Sequence, residues 1–377
     1  MKEGRSINEL AAEVQRQVST KRDFIAPSRQ LTAQLQSIVE TVDLEKSVSD
    51  AKLATKHEVR LAIPINGHGL TLPLTDVAHR QVQQHLGIPW TYYEKMLTEA
   101  PDLLTVNMNH WLQQDAGSRM VRTLDNKVRA FKSDKYRRLD NIDLLTAILP
   151  LFPELNLVVQ SCEVTDRRLY VKASRPSMRA EIKGSKQVGD IVEAGIVVSN
   201  SEIGEGSVVV QPLLYRLSCT NGAIRSDTSL RKLHTGARAG SAEVPYELLS
   251  DETKMHQDLA FWGSVRDLTK SALDGVVFAE GVKHIERSAG DVMEARPEAV
   301  IEAAAEKFSL SQTEAGDIFR HLVDGGDLSR WGLTNAITRA SQDVQEYDRA
   351  TDLERIGGQV IEMAVQDWYA MAGGKAA

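Results

Sequence analysis

Apolar residues recur along the chain with two different periods, and the change of period marks its parts. Ile7, Leu10, Ala11, Val14 and Val18 fall at helical spacing behind Ser6, with Glu9 three residues after the serine. A capping residue, a glutamate that reaches back to it and an apolar stripe predict an amphipathic helix over residues 7–19, closed by Lys21-Arg22. From Asp23 to about Thr55 the pattern lapses into polar residues with scattered Leu and Val, which reads as an arm, mobile or partner-bound, with room for one short second helix. Strict alternation follows: Val59, Leu61, Ile63 and Ile65, the turn residues Asn66-Gly67-His68-Gly69, then Leu70, Leu72 and Leu74 predict a hairpin. Thr75-Asp76 caps a helix ended by Gly87, and Ile88-Pro89-Trp90 starts another that runs through Met96. A helix, a glycine turn and a helix is also the layout of a DNA-reading helix-turn-helix. The second helix offers only Lys95 as a basic residue, so a packed helical pair is the better reading.

The middle of the chain alternates most clearly. Residues 119–124 and 127–133 flank Asp125-Asn126, two residue types that tolerate positive φ, and predict a β-hairpin. A helix over 139–149 is stopped by Pro150, and a second hairpin pairs 155–164 with 168–174 around Thr165-Asp166-Arg167. In its return strand Leu169, Val171 and Ala173 alternate with Arg168, Tyr170 and Lys172, which predicts a half-buried sheet with a basic outer face. Two longer strands over 190–200 and 207–219, a turn at Thr220-Asn221-Gly222 and a basic loop from Arg225 to Arg238 complete this part. Beyond Pro245 the periods are helical, at 246–273, 297–308, 313–323, 334–347 and 351–363, before a tail of small residues at 373–377. The order predicts an α+β fold: a central curved antiparallel sheet built from basic hairpins, with a helical N-terminal region and a helical C-terminal region. The expected parts are a helical N-terminal arm (1–57), an α+β core with basic hairpins (58–244) and an α-helical C-terminal region (245–377).

Composition narrows the class. The chain has 377 residues, 42% hydrophobic and 26% charged, enough for two compact units and unlike a disordered or membrane protein. It holds no run of about 18 apolar residues, and the N-terminus lacks a signal-peptide core, so the cytoplasm is expected and no membrane partner. The two cysteines, Cys162 and Cys219, sit in apolar strand-like runs and read as buried thiols; two thiols alone do not make a zinc site. The net charge of −7 conceals an asymmetry: residues 119–238 hold 20 Lys+Arg against 13 Asp+Glu, a net of +7, so the remainder carries −14. A polyanion feels that local excess over a Debye length of about 8–10 Å.

Motifs of catalysis are missing. The phosphate-binding Gly-x-x-x-x-Gly-Lys loop, Gly-x-Gly-x-x-Gly, His-Glu-x-x-His, paired Cys-x-x-Cys and Gly-x-Ser-x-Gly do not occur, and no catalytic carboxylate pair stands out. His79 and His85 lie six apart and point to different helix faces. Gly204 and Gly206 form a nest-like pattern, but Glu202 and Glu205 beside them repel phosphate; the segment reads as a strand connection, with divalent metal on the two glutamates as the alternative. No cofactor is expected. The positive signal is the first hairpin: residues 119–138 hold eight Lys+Arg (Arg119, Arg122, Lys127, Arg129, Lys132, Lys135, Arg137 and Arg138) against two Asp, interleaved with Phe131 and Tyr136. The cations are candidate phosphate contacts and the two rings candidate stacking platforms for unpaired bases. Arg168, Lys172, Arg175, Arg179 and Lys183 of the second hairpin extend the candidate set. The alternative is a solvated basic face that balances acidic helices within the chain or at a subunit contact.

Several blocks are familiar in combination: residues 6–13 (Ser-Ile-Asn-Glu-Leu-Ala-Ala-Glu) with Lys21-Arg22-Asp23, Leu74-Thr-Asp-Val-Ala-His79 with Leu86-Gly-Ile-Pro89 and Tyr93, Ser199-Asn-Ser-Glu-Ile-Gly204, Arg216-Leu-Ser-Cys-Thr-Asn-Gly222 and Trp331-Gly-Leu-Thr-Asn-Ala336. Through them the chain resembles, over nearly its whole length, the phage- and plasmid-related family catalogued as domain of unknown function 932. That resemblance implies a mobile-element protein of the host-cell cytoplasm. A more distant, architectural similarity is to the eukaryotic-type single-strand annealing proteins, which line a groove with such a hairpin and assemble as rings. It implies single-stranded DNA binding, with annealing or recombination by a homo-oligomer, and acidic C-terminal helices as a contact for a replication or recombination protein. The other readings are a non-enzymatic phage structural or host-interaction protein and a metal-dependent DNA-processing enzyme.

Overall fold

The computed structural model describes residues 1–42, 52–65, 68–225 and 250–373. The Asn66-Gly67 turn, the basic loop beyond Arg225 and the last four residues of the tail lie outside that set. Helix α1 (Ile7–Thr20) opens as expected: the Ser6 backbone N–H donates to Glu9 Oε2 at 2.8 Å, and the Glu9 N–H donates to Ser6 Oγ at 3.3 Å. The chain forms two compact units. One comprises Gln15–Arg138; the other comprises Met1–Val14 with the described residues from Leu139 onward. The divisions fall within α1 and after Arg138, away from the expected boundaries at residues 57 and 244.

The smaller unit has two three-stranded antiparallel sheets. Its elements are β1 (Arg22–Pro27), β2 (Thr32–Val42), β3 (Lys52–Ile65), β4 (His68–Pro73), α2 (Asp76–Leu86), α3 (Trp90–Glu99), α4 (Pro101–Gln114), β5 (Ser118–Leu124) and β6 (Lys127–Ser133). The sheets run β2-β3-β4 and β1-β5-β6. The described part of the stretch expected to be an arm is therefore largely strand: β2 pairs with β3 in the register Ala33↔Leu61 and Leu35↔Val59. Its apolar signal is faint: over residues 31–37 Leu31 and Ala33 are buried while Gln34, Gln36 and Ser37 face out. Leu61, Ile63, Leu72, Val82, Tyr93, Leu104, Met108, Val121 and Phe131 build the core.

Helices α2 and α3 are the packed pair expected. Thr75 Oγ1 accepts from the Ala78 N–H, Gly87 takes the left-handed cap at φ 68°, and buried His79 shares a 2.9 Å hydrogen bond with the Tyr93 hydroxyl. Burial lowers the His79 pKa to about 4, against the opposing pull of Asp76 and Glu58. Stability from a depressed histidine is complete above its unfolded value of about 6.5 and is lost as pH falls, because the unfolded chain binds a proton the folded ring refuses. The wild type is expected to lose about 2.4 kcal/mol more than His79→Gln between pH 7 and pH 4.5 in urea denaturation. Parallel pH profiles would refute the buried neutral imidazole.

The larger unit centres on a curled five-stranded antiparallel sheet in the order β11-β10-β9-β8-β7. Its elements are α5 (Asn141–Ile148), α6 (Leu151–Leu155), β7 (Val158–Val164), β8 (Leu169–Glu181), β9 (Ile191–Asn200), β10 (Val209–Arg216) and β11 (Asn221–Ile224). They are followed by α7 (Asp251–Ala272), α8 (Gly275–Gly290), α9 (Pro297–Phe308), α10 (Gln312–Gly325), α11 (Arg330–Ala340), α12 (Tyr347–Glu362) and α13 (Val365–Ala372). The protein is thus α+β with helical N- and C-terminal regions. Val171, Ala173, Ile196, Val198 and Val210 pack with Leu10, Leu144, Ile148 and Val265 in one core. A second core joins α9 to α13 through Ile318, Leu322, Leu333, Leu353, Val360 and Trp368.

The expected basic outer face of β8 is covered. Lys172 Nζ lies 2.6 Å from Glu354 Oε2 of α12, both side chains fully buried, and the Tyr170 hydroxyl donates to Asp348 Oδ1 at 2.8 Å. Alternation correctly sorted these residues onto one side, but that side meets helices instead of water. Among the described residues no helix is long and apolar enough to cross a membrane.

Candidate nucleic-acid interface

The hairpin β5–β6 turns on Asp125 and Asn126, both with positive φ (49° and 59°), the two-residue turn whose twist suits paired strands. Asp125 receives Arg16 Nη1 at 2.8 Å and Thr20 Oγ1 at 2.6 Å, which pull its carboxyl down to about 2 and tie the turn to the end of α1. Opposed pairs Arg119↔Ser133, Val121↔Phe131 and Arg122↔Ala130 set the register, with a bulge between Arg122 and Thr123.

The register sorts the candidate residues into two groups. Val121, Val128 and Phe131 point into the core, so Phe131 is a packing residue, 4% exposed, and is no stacking platform. Arg122 is fully buried in an ion pair with Asp23 (Nε to Oδ1 2.9 Å), and Arg138 reaches the same carboxylate at 3.5 Å. Arg119 meets Asp115 at 3.0 Å. Burial raises the Asp115 carboxyl, but hydrogen bonds from Ser28, Gly117, His85 and Arg119 overcome it and hold the group well below the usual carboxylate range. Arg129 is buried. Arg119, Arg122 and Arg129 are thus engaged within the unit, and Arg122 and Arg129 are not presented to a polymer.

The second group faces out. Lys127 and Lys135 are exposed, the Arg138 side chain is 58% exposed, and Lys132, Tyr136 and Arg137 are half-buried. Lys132 Nζ stands 5.9 Å from the centre of the Tyr136 ring, so cation and aromatic share one patch. Beside it is a hollow of about 210 Å³ bordered by Gln81, Gln84, His85, Arg119, Phe131, Lys132 and Ser133.

The second hairpin contributes differently. Lys172 is interior, as described. Arg168 is half-buried and donates to the Glu205 carbonyl. Arg175 is half-buried at the β8–β9 register shift, and its Nε meets no hydrogen-bond partner among the described residues. Arg179 and Lys183 are exposed. The candidates therefore form two sets in two sheets, one in each unit.

Glu202 and Glu205 have structural engagements. Glu202 Oε1 accepts the Asn141 N–H at 2.6 Å and so supplies an acceptor to the first turn of α5, while Asn200 Nδ2 donates to the Leu139 carbonyl and to Asn141 Oδ1, each at 2.9 Å. Glu205 lies 3.8 Å from Arg167. Among the described residues no cluster of three or more His, Cys, Asp or Glu is placed to hold a metal ion. Cys162 is buried, its thiol pushed up to about 11 chiefly by burial, but Cys219, expected to be buried, is half-exposed.

Two of the familiar blocks meet in the larger unit. Arg216 pairs with Asp190 (Nε to Oδ1 2.5 Å), and the Trp331 indole donates to the same carboxylate at 3.0 Å. Asn221 Nδ2 donates to Thr338 Oγ1 at 2.6 Å. Strand-end and helix residues more than a hundred positions apart are thus joined through polar side chains. No protein-family model, no curated protein and no solved structure matches the chain.

Proposed function

We propose that the chain binds single-stranded nucleic acid, DNA foremost, through the outward side of the β5–β6 hairpin and the segment that follows it. The supporting observation is the charge left on that side: residues 127–138 carry Lys127, Arg129, Lys132, Lys135, Arg137 and Arg138 against Asp134 alone, and all but Arg129 are at least partly exposed. Each phosphate neutralised on a single strand contributes about 0.7 to the slope of log K against log salt, so five contacts give a slope near −3.5. Tyr136, beside Lys132, is the stacking candidate, worth about 1–3 kcal/mol per base. Two ion pairs contribute indirectly: buried Arg122 with Asp23, and exposed Arg16 with Asp125, hold the strands and turn that carry the exposed cations. Arg175, Arg179 and Lys183 offer a second, smaller contact in the other unit. Binding on a charged track needs no cofactor and suits annealing or recombination by a homo-oligomer of a mobile-element family, the role the sequence resemblance implies.

Lys127→Glu/Lys135→Glu, two exposed positions with no ion pair among the described residues, is expected to weaken retention of a labelled single-stranded oligonucleotide about thirtyfold at 0.1 M salt and to flatten the salt slope by about 1.4. Unchanged affinity would remove the hairpin from the proposal. No shift with single- or double-stranded DNA or RNA, alongside a stable multimer, would favour the interaction-protein reading, which draws on the number of arginines already paired inside the chain.

A further inference from the structure

The larger unit has an open cavity of about 440 Å³ between the loop after β8, the end of β10, the C-terminal turns of α10 and the length of α11. We infer that this cavity binds a nucleoside 5′-monophosphate. The inference does not depend on the hairpin proposal, since every residue it uses belongs to the other unit.

Size is the first argument. Small-molecule sites span about 300–1,000 Å³, so this one suits a mononucleotide, is mostly empty around inorganic phosphate, and has no length for a polymer. Charge is the second. Lys186, Arg216 and Arg339 line the cavity from the β8 loop, β10 and α11, while Asp324 and Asp327 line it from the end of α10 and just beyond. Arg216 is already committed to Asp190, and Gln187 Oε1 also accepts from its Nη2 at 2.8 Å, which holds that guanidinium rigid. Lys186 is less committed: its side chain is 60% exposed and its ammonium lies 3.9 Å from Asp327 Oδ1. Arg339 is exposed and donates to Gln342. Lys186 and Arg339 are therefore the groups that receive a phosphate.

The third argument is a carboxylate at the cavity wall. Asp327 lines the cavity with a side chain 17% exposed, and one of its oxygens lies 3.9 Å from the Lys186 ammonium. A carboxylate that close to the phosphate-receiving cation is an acceptor for a ribose hydroxyl or an exocyclic amine. Gly332 permits the arrangement: a Cβ there would come within 1.7 Å of the Asp327 carbonyl oxygen, so only glycine lets α11 start this close to the aspartate. Gly332 and Ala336 also line the cavity, with nothing larger than a methyl group for a side chain.

The test is calorimetric titration of the full chain with the four ribonucleoside 5′-monophosphates, the matching nucleosides and inorganic phosphate. Saturable binding of at least one nucleotide is expected, with its nucleoside and phosphate alone each at least roughly tenfold weaker, because a charged hydrogen bond or the ring contacts are lost. Lys186→Ala/Arg339→Ala should lose a similar factor while oligonucleotide retention by the hairpin is unchanged. Cys219 lines the same cavity, so bound nucleotide should slow its alkylation. Absence of submillimolar binding by all four nucleotides, equal binding of phosphate alone, or a double variant that is folded and binds as the wild type would each overturn the assignment.

Discussion

Glu354→Ala is expected to destabilise the larger unit by about 3–5 kcal/mol, seen as a lower denaturant midpoint at unchanged m-value, because it strands a charge. Lys172 and Glu354 are both fully buried with 2.6 Å between Nζ and Oε2, and the ammonium sits 4.5 Å from the centre of the Tyr347 ring. Burial alone drives the lysine pKa down, and Glu354 is the main group opposing it. Without the glutamate, Lys172 must either remain charged without its ion-pair partner or give up its proton, and both cost stability. The double replacement Lys172→Met/Glu354→Leu removes both charges at similar volume and is expected to recover most of the loss, to within about 1–2 kcal/mol of the wild type. A single Glu354→Ala variant within about 0.5 kcal/mol of wild type would mean that the pair is solvated.

Arg330→Ala is expected to cost a comparable amount, about 3–5 kcal/mol, for a different reason. The last carbonyls of any helix lack intrahelical donors, and glycine-based caps usually satisfy them. At the end of α12 a buried arginine does so: Nε donates to the Val360 carbonyl at 2.6 Å, Nη2 to Ile361 at 2.7 Å and also to Met363, and Nη1 meets Asp291 at 3.2 Å. Alanine leaves those acceptors and a mostly buried Asp291 without their donor. Lysine should rescue only part of the loss, since an ammonium cannot reproduce the planar fork. Hydrogen exchange locates the damage: amides in the last two turns of α12 should exchange faster in Arg330→Ala. Unaltered exchange there would refute the capping role.

These two side chains also show where local sequence patterns lose their reach. The α1 capping box, the Asp125-Asn126 turn and the alternation of β8 are written in neighbouring residues, and each was legible. Alternation says which residues share a side of a strand; it does not say what lies over that side. Lys172 was legible as facing away from Val171 and Ala173, but the glutamate that receives it is 182 residues downstream. Arg122 finds Asp23 at a separation of 99 residues, so its neutralisation was equally invisible. Strands β1 and β2 were missed because partnership with β5 and β3, and not their own apolar content, makes them strands. Helix α4 does carry a local signal, Pro101 at its start and Leu104, Met108 and Leu112 at intervals of four. Lys127, Lys132, Lys135, Tyr136, Arg137 and Arg138 remain the candidates on the partly or fully exposed part of the hairpin.

The central sheet of the larger unit, apolar on one side and with Lys172 and Glu193 set among apolar residues on the other, bears on how the chain is made. Its strands leave the ribosome well before α12, so for a time the side carrying Lys172 waits uncovered. An uncovered greasy surface on a nascent chain invites aggregation, whereas one studded with ionic groups stays hydrated until its cover arrives. The same groups then accept α12 in one alignment only, since a slip of one helical turn would bury Lys172 and Glu354 apart.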